Sequence, residues 1–230
     1  MNKRLVGEYR EFIFRGEKTP FSLGTLSVVV FCTVLLIVAT FTKLDVTYYW
    51  PTFGEDGLTF ILKKYPLVPQ IPVIMATAAI LGARFGTLVM LLYLLTGFFL
   101  WPVFGFGGGI GYVKSYFFGY ILGFFAANIF AGRILSHKYN LMNMLYASII
   151  GVLSIHMCGI LYSLILELFK FSGVAPNFQT LISHIVYDTV FSFIAIVLAK
   201  PVKYILWIAM KNEPRRQKVL KNSKVNVQGN

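Results

Sequence analysis

Hydrophobic residues in this chain gather into six long runs that are separated by short polar stretches. A helix of about 20 apolar residues crosses the hydrocarbon core of a bilayer, so runs of this length predict membrane-spanning helices. The pattern therefore predicts an all-α integral membrane protein with six transmembrane helices. The runs are Phe21–Thr42, Leu67–Ala83, Gly86–Trp101, Tyr116–Leu135, Leu145–Leu168 and Leu181–Met210.

Two of these predicted helices need a qualification. The second and third runs are short, and only Arg84 and Phe85 separate them. We interpret them as two helices joined by a tight turn at Gly82–Gly86; a single bent hairpin that does not cross the membrane fully is the alternative. The last run is too long for one straight span, so we expect it to emerge as an amphipathic, lysine-rich end after Pro201.

Composition agrees with a membrane protein and excludes nucleic acid as the partner. The chain is 57% hydrophobic and 13% charged, with a mean hydropathy of +0.71, whereas a soluble domain carries about 25% charged residues. The net charge of +12 comes from basic residues at both ends and between the apolar runs. That distribution is typical of membrane topology signals and of contact with anionic lipid.

The same basic residues predict the orientation. Six spans place both termini on one side, and the positive-inside rule then puts that side in the cytoplasm. We expect a cytoplasmic segment over residues 1–20, a membrane domain over 21–210 and a basic cytoplasmic tail over 211–230. The proposed inner side carries sixteen lysines and arginines (Lys3, Arg4, Arg10, Arg15, Lys18, Arg84, Arg133, Lys138 and eight from Lys200 onward) and the outer side five (Lys43, Lys63, Lys64, Lys114 and Lys170).

Two stretches stand out against this helical background. The long outer connection Lys43–Tyr65 holds an aromatic cluster, Tyr48, Tyr49 and Trp50, which predicts either an interfacial belt or a lid over an outward-facing pocket. Within Tyr93–Phe124, a Pro-Val-Phe turn and five glycines interrupt two apolar runs. Non-helical backbone in a membrane protein is tolerated against protein or a cavity, so this flexible or tightly folded re-entrant loop is the first candidate ligand site.

The fourth predicted helix carries small residues at every fourth position. Gly119, Gly123, Ala127 and Ala131 share one face, and such rows let helix backbones approach closely in lipid. Packing alone accounts for this spacing.

Ionisable residues inside spans are functional candidates, because they are expensive in lipid. Asp188 is the clearest of them: it could accept hydrogen bonds from a ligand, pair with a basic side chain or line a water-filled entrance. His184 lies one turn earlier and could share its face. We expect His156 to make an interhelical hydrogen bond and Glu167 to face lipid headgroups.

Motifs for enzymatic chemistry are absent from the sequence. It has no Gly-x-Ser-x-Gly elbow, no His-Glu-x-x-His and no Walker A lysine motif. Its two cysteines, Cys32 and Cys158, lie in apolar runs and fit small packing residues. We expect neither a metal nor a cofactor, and an enzyme is the less favoured alternative.

The middle of the chain resembles the BioY-type biotin transport proteins, which are the substrate-binding (S) components of energy-coupling factor transporters. The resemblance covers roughly residues 66 to 200. It rests on five motifs: Pro66-Leu-Val-Pro-Gln70, Gly82-Ala-Arg84-Phe-Gly86, Tyr93-Leu-Leu-Thr-Gly97, Pro102-Val103-Phe104-Gly105 and Phe118-Gly119-Tyr120-Ile-Leu-Gly123-Phe124.

This resemblance implies six helices, a vitamin pocket near the outer face and capture of biotin. Asp188 looks like the aspartate of the family's Pro-x-Asp-x-x-Lys motif, but Phe191 stands where the lysine is expected. We therefore expect Asp188 to take the ureido donors and Lys114 to bind the carboxylate. The remaining predicted substrate-binding residues are Tyr93, Phe104 and Tyr187 as walls, and Gln70, which could contact the ligand or brace the loop.

The resemblance also implies partners and a location. The ligand would be biotin, taken up across a bacterial inner membrane with a scaffold membrane subunit and two ATPases. The first helix lacks the Ala-x-x-x-Ala surface that often docks on the scaffold, so solitary action stays open. A same-fold transporter of another vitamin is the nearer alternative, and a membrane enzyme or assembly factor the farther one.

Overall fold

The computed structural model describes residues 22–54, 57–169 and 184–206. Its elements are α1 (Leu23–Phe41), β1 (Leu44–Gly54), β2 (Gly57–Leu67), α2 (Gln70–Leu95), α3 (Phe118–His137), α4 (Leu141–Leu168) and α5 (His184–Leu206). A π-helical turn, Thr96–Leu100, extends α2, and a short 3-10 helix covers Ile110–Lys114.

Five helices within the described ranges are long and apolar enough to cross a membrane. The chain is therefore a multi-pass membrane protein, as the hydrophobic runs predicted. The segments 1–20 and 211–230, assigned above to a cytoplasmic N-terminus and tail, lie outside the described residues.

Helix α2 reverses direction at Gly82. This residue has φ 71° and ψ −177°, a backbone conformation that glycine adopts without the steric cost of a Cβ. The Gln70 amide nitrogen lies 3.1 Å from the Tyr93 hydroxyl, although a straight helix would separate the two residues by about 34 Å. The two arms of α2 are thus antiparallel, which supports the predicted turn at Gly82–Gly86.

The first arm is short for a membrane crossing. Residues 70–81 rise about 18 Å as an α-helix, against a hydrocarbon core of about 30 Å. These residues supply the reversal without a sixth full-length span. Asn128 of α3 fixes the turn, since its amide donates to the Ala83 carbonyl at 3.1 Å and to the Thr87 hydroxyl at 3.2 Å.

The long connection after α1 is an antiparallel β-hairpin rather than the loop that was expected. Strands β1 and β2 pair from Leu44 opposite Leu67 to Gly54 opposite Gly57. The two strands pair mainly with each other. Several apolar side chains of the hairpin are exposed, including Tyr49, Phe53 and Phe60. The helical prediction therefore holds for the membrane part, and residues 44–67 depart from it.

Small residues set the contact between α3 and α4, as the four-residue spacing predicted. A Cβ at Gly123 would lie 2.7 Å from the Ile155 Cα, and one at Gly119 would lie 2.4 Å from the Tyr162 Cβ. Ala127 and Ala131 on the same face are fully buried. The two backbones therefore approach more closely than larger side chains would allow.

The end of α5 is a continuous helix past Pro201, up to Leu206. It is held at the α3–α4 turn, where the Tyr139 hydroxyl donates to the Ile196 carbonyl at 2.8 Å. The Lys203 ammonium lies 5.3 Å from the centre of the Tyr139 ring. The remainder of the expected lysine-rich end lies outside the described residues.

Candidate functional site

The glycine-rich segment between α2 and α3 is a tightly folded loop. The Gly109 N–H donates to the Gly97 carbonyl at 2.8 Å, and Phe104 and Gly107 exchange two backbone hydrogen bonds of 3.0 Å. Gly107 and Gly109 have φ of 131° and 80°, which L side chains rarely adopt. Of the two predicted forms of this loop, the structure has the compact one.

Phe104 anchors the loop to the helices below it. Its ring is 1% exposed and packs against Tyr93, Phe98 and Tyr112, with ring centroids 5.6, 5.7 and 4.6 Å away. Gly97 provides the seat, because a Cβ there would lie 2.1 Å from the Phe104 ring. The aromatic contacts fix the position of the Pro-Val-Phe turn.

Three hydrogen bonds brace this loop from beneath. The Gln70 amide donates to the Thr40 hydroxyl and to the Tyr93 hydroxyl, both at 3.1 Å. Tyr93 in turn donates to the Val103 carbonyl at 3.2 Å. These bonds tie the end of α1 and both ends of α2 to the loop, so the described contacts of Gln70 are those of a brace.

Tyr112, in the 3-10 helix of the loop, completes the packing. Burial raises the pKa of its phenol to about 12, and the nearby Tyr93 adds to this direction, while a hydrogen bond with the Phe106 backbone opposes it. The phenol is therefore held in its neutral form as part of the loop core.

A second group of polar residues joins α3, α4 and α5. The His156 Nε2 lies 3.2 Å from the Asp188 Oδ2, with side chains that are 6% and 8% exposed. The Tyr120 ring meets the His156 ring edge-on, with centroids 5.8 Å apart. This is the interhelical hydrogen bond expected of His156, and it gives Asp188 one of its three predicted environments, a basic partner. His184 lies within electrostatic range of both residues.

Aromatic rings join the loop to the ends of α3 and α4. Phe118 stacks on Phe98 and meets Tyr162 edge-on, with centroids 5.8 and 5.6 Å apart. The Tyr162 hydroxyl donates to the Val113 carbonyl, directly before Lys114. Tyr162 lies six residues beyond His156, so α4 rises about 9 Å from the His156–Asp188 hydrogen bond to the residue that contacts the loop.

Lys114 occupies the last position of the 3-10 helix, and its side chain is exposed. The arrangement therefore has a buried carboxylate on α5, aromatic rings on α3 and α4, and an exposed cation in the loop. Such a site suits a ligand with polar N–H donors at one end, an apolar middle and an anionic end. Within the described ranges, no group of three histidine, cysteine or acidic residues is placed to hold a metal.

The BioY family model matches residues 16–207 of this sequence. The chain belongs to the BioY family. A curated relative, the probable biotin transporter BioY of Lysinibacillus sphaericus, is 34% identical over 108 residues. That match covers 45% of this chain and 55% of the relative, so the aligned region spans about half of the relative's length.

A solved structure has the same fold. It is the S-component for biotin from an ECF-type ABC transporter, with a TM-score of 0.56 and 19% identity, covering 78% of this chain and 90% of its own. The family match and this fold agree with the resemblance drawn from the motifs.

The six predicted substrate-binding residues fall into separate parts of the BioY-type fold. Gln70, Tyr93 and Phe104 form one cluster at the base of the loop, where they contact each other, the end of α1 through Thr40, and neighbouring aromatic rings. Asp188 lies in the second group, with Tyr187 half-buried beside it on α5. Lys114 lies at the loop. Direct contact of any of the six with a ligand stays a prediction.

The sequence predicted an interhelical hydrogen bond for His156 without naming its partner, and the structure shows that the partner is Asp188. Tyr120 and Tyr162 were not singled out at all. The Phe118–Phe124 motif contained a signal for Tyr120, because Tyr120 directly follows Gly119, which was predicted to face another helix. Both residues pack against α4 in the structure, and a Cβ at Gly159 would lie 2.6 Å from the Tyr120 ring.

Proposed function

We propose that this protein captures biotin at the outer face of a bacterial plasma membrane and delivers it inward. The observation that carries the proposal is the match of the BioY family model to residues 16–207, together with a buried carboxylate under the loop. The curated relative is named a probable biotin transporter. The solved structure of similar fold is likewise an S-component for biotin.

Biotin fits the chemistry of the candidate site. Its ureido ring offers N–H donors, which the buried Asp188 carboxylate would accept. Its sulfur ring is apolar and suits aromatic walls, including Tyr187, and its chain ends in a carboxylate that Lys114 would pair with. The rise of about 9 Å between His156 and Tyr162 is of the order of the distance between the two polar ends of the ligand. Gln70, Tyr93 and Phe104 would act by holding the loop in place.

The arrangement of charges supports a cytoplasmic location for both termini. Helix α1 ends at the loop side, both ends of α2 return there, and α3, α4 and α5 then cross in alternation, so the start of α1 and the end of α5 share one side. This parity holds whether or not the first arm of α2 crosses fully. Among the described residues, five of the basic residues counted above lie on that side (Arg84, Arg133, Lys138, Lys200 and Lys203) and four on the loop side (Lys43, Lys63, Lys64 and Lys114). The excess of positive charge on the inner side therefore comes from the basic residues at the two ends of the sequence.

Inward delivery would use an energy-coupling module, a scaffold membrane subunit with two ATPases. The support for this partner is the likeness in fold to the solved S-component, which comes from an ECF-type ABC transporter. Solitary action is the alternative. Uptake of labelled biotin in cells with and without such a module would separate the two.

Binding of labelled biotin to the purified protein tests the proposal directly. We expect tight binding by the natural chain and a loss of affinity of about tenfold or more, which is about 1.4 kcal/mol, for Asp188→Asn. Glu167→Gln is the matched control, because its carboxylate is exposed near the end of α4. If biotin does not bind and another vitamin raises the melting temperature instead, by mass action, the protein transports that vitamin and the proposal for biotin is wrong.

A further inference from the structure

The hydrogen bond between His156 and Asp188 joins two helices at a buried point. The two residues are 32 positions apart in sequence, and the bond connects α4 with α5. Burying a carboxylate that has no hydrogen-bond donor lowers the stability of a protein by several kcal/mol. The His156 Nε2 supplies such a donor to one particular oxygen of Asp188.

The surroundings hold the imidazole ring in one place. Tyr120 meets the His156 ring at an interplanar angle of 89°. Tyr120 is itself packed against Gly159, where a Cβ would lie 2.6 Å from its ring. Since His156 and Tyr120 come from the tightly packed pair α3 and α4, this packing opposes movement of the imidazole ring.

Two buried polar atoms nearby lack a partner within the described ranges. They are the His156 Nδ1 and the Ser192 hydroxyl, which lies one turn beyond Asp188 on α5. Buried polar atoms are nearly always hydrogen-bonded, and exceptions call for a water or ligand. The neighbourhood of Asp188 is thus a polar site inside the membrane part rather than an isolated hydrogen bond.

We propose that His156 is a positioning residue that determines specificity for the ureido ring: by donating its Nε2 hydrogen to Asp188, it fixes the carboxylate as an acceptor for ligand N–H groups. This inference rests on the proposed biotin function. A carboxylate that is free to rotate would still attract a donor, but it would discriminate less between a ligand that has the N–H groups and one that lacks them.

The test compares two amides at position 156. The terminal nitrogen of glutamine can occupy the place of Nε2, whereas that of asparagine falls short, near Nδ1. Both side chains are polar and uncharged, so they differ in reach. The control is His137→Gln, which makes the same change at an exposed histidine in the last turn of α3.

Dissociation constants are measured for biotin and for biotin methylated on a ureido nitrogen, with melting curves for every variant. We expect His156→Gln and His137→Gln to keep the natural preference for biotin over the methylated analogue. His156→Asn should reduce this preference about tenfold, through weaker binding of biotin rather than of the analogue.

The outcomes separate this inference from the function on which it rests. If His156→Asn weakens both ligands equally, or if its preference equals that of His156→Gln, His156 has only a structural role and the inference is overturned. Failure of the natural chain to bind biotin would instead remove the proposed function, and the inference with it. If His156→Asn does not fold, a His156→Gln variant that loses the preference overturns the proposal, and one that keeps it supports the role of the Nε2 donor.

Discussion

Lys114 is the residue whose predicted role is most open to a direct test. It is exposed at the end of the 3-10 helix, above the ring of Tyr162 that holds this segment. If it pairs with the ligand carboxylate, Lys114→Ala should weaken biotin binding about tenfold or more, and biotin amide should lose little. Lys64→Ala, an exposed lysine on β2, is the control in the same titration. Unchanged affinity in Lys114→Ala would contradict the role.

Tyr112 makes the loop sensitive to alkaline pH. An exposed tyrosine titrates at a pKa of about 10, and burial raises that of Tyr112 to about 12. The neutral phenol therefore contributes stability that is complete below pH about 10 and is lost as the pH rises towards 12. We expect the melting temperature of the natural protein to decrease as the pH is raised from about 10 to about 12, and that of Tyr112→Phe to decrease less. Parallel melting curves across this range for the two proteins would check it.

The sequence could identify single residues in the site but not their partners. Asp188 stood out because a carboxylate in an apolar run is rare. Its contact with His156 depends on how α4 and α5 are rotated about their axes, which a run that is apolar on every side does not encode. For the same reason, the bond from Gln70 to Tyr93 could not be derived from two positions on what the pattern predicted as separate helices.

At the scale of elements, the pair α3 and α4 depends on close backbone approach. Gly123→Val would place side-chain atoms where a Cβ alone already lies 2.7 Å from the Ile155 backbone. Overpacking of this kind costs about 1–3 kcal/mol, so we expect a clear fall in melting temperature in detergent. Leu122→Val, the neighbouring residue on an exposed face, should melt close to the natural protein. Equal melting temperatures for the two variants would contradict the prediction that α3 and α4 need close backbone approach.

The exposure of the hairpin β1–β2 favours one of the two interpretations of the aromatic connection, although of the predicted aromatic cluster only the side chain of Tyr49 lies within the described residues. Tyr49, Phe53 and Phe60 are 72%, 84% and 62% exposed, and the described contacts of the Phe104 cluster include no hairpin residue. We therefore expect an interfacial belt: replacing residues 47–64 by a four-residue Gly/Ser turn should leave the dissociation rate of biotin unchanged.

A lid would behave differently in the same measurement. Its removal would speed the release of biotin, because a closed lid delays dissociation. Phe104→Ala serves as the positive control, since it removes the anchor of the loop itself.

The boundaries of the helices were predicted well, and the hairpin was not. Long apolar runs place helices within a few residues, as Leu145–Leu168 against α4 shows. The hairpin was not predicted because its residues are too mixed for a span, although β-branched and aromatic residues make up half of its two strands and glycines flank its tip at Gly54 and Gly57. Those residues are strand and turn signals, and a prediction that rests on long apolar runs does not use them.

For the whole molecule, the orientation in the membrane is the prediction to test. Gly111→Cys places a thiol in the exposed loop, and Lys138→Cys places one in the turn between α3 and α4. A membrane-impermeant maleimide on intact cells should label the first and reach the second only after permeabilisation. Replacing Cys32 and Cys158 by alanine removes the background. Labelling of Lys138→Cys in intact cells would reverse the assigned orientation.

The reversal at Gly82 gives α2 a mechanical consequence. Its turn is tied to α3 through Asn128, and its two ends are tied at the opposite side to Thr40 and the loop by hydrogen bonds of 3.1 Å. We therefore expect α2 to move as one rigid unit that extends from one side of the membrane towards the other. In the proposed orientation, a partner that contacts the turn would move the Phe104 loop through α2, so that contact at one end of the helices would be coupled to movement of the loop at the other.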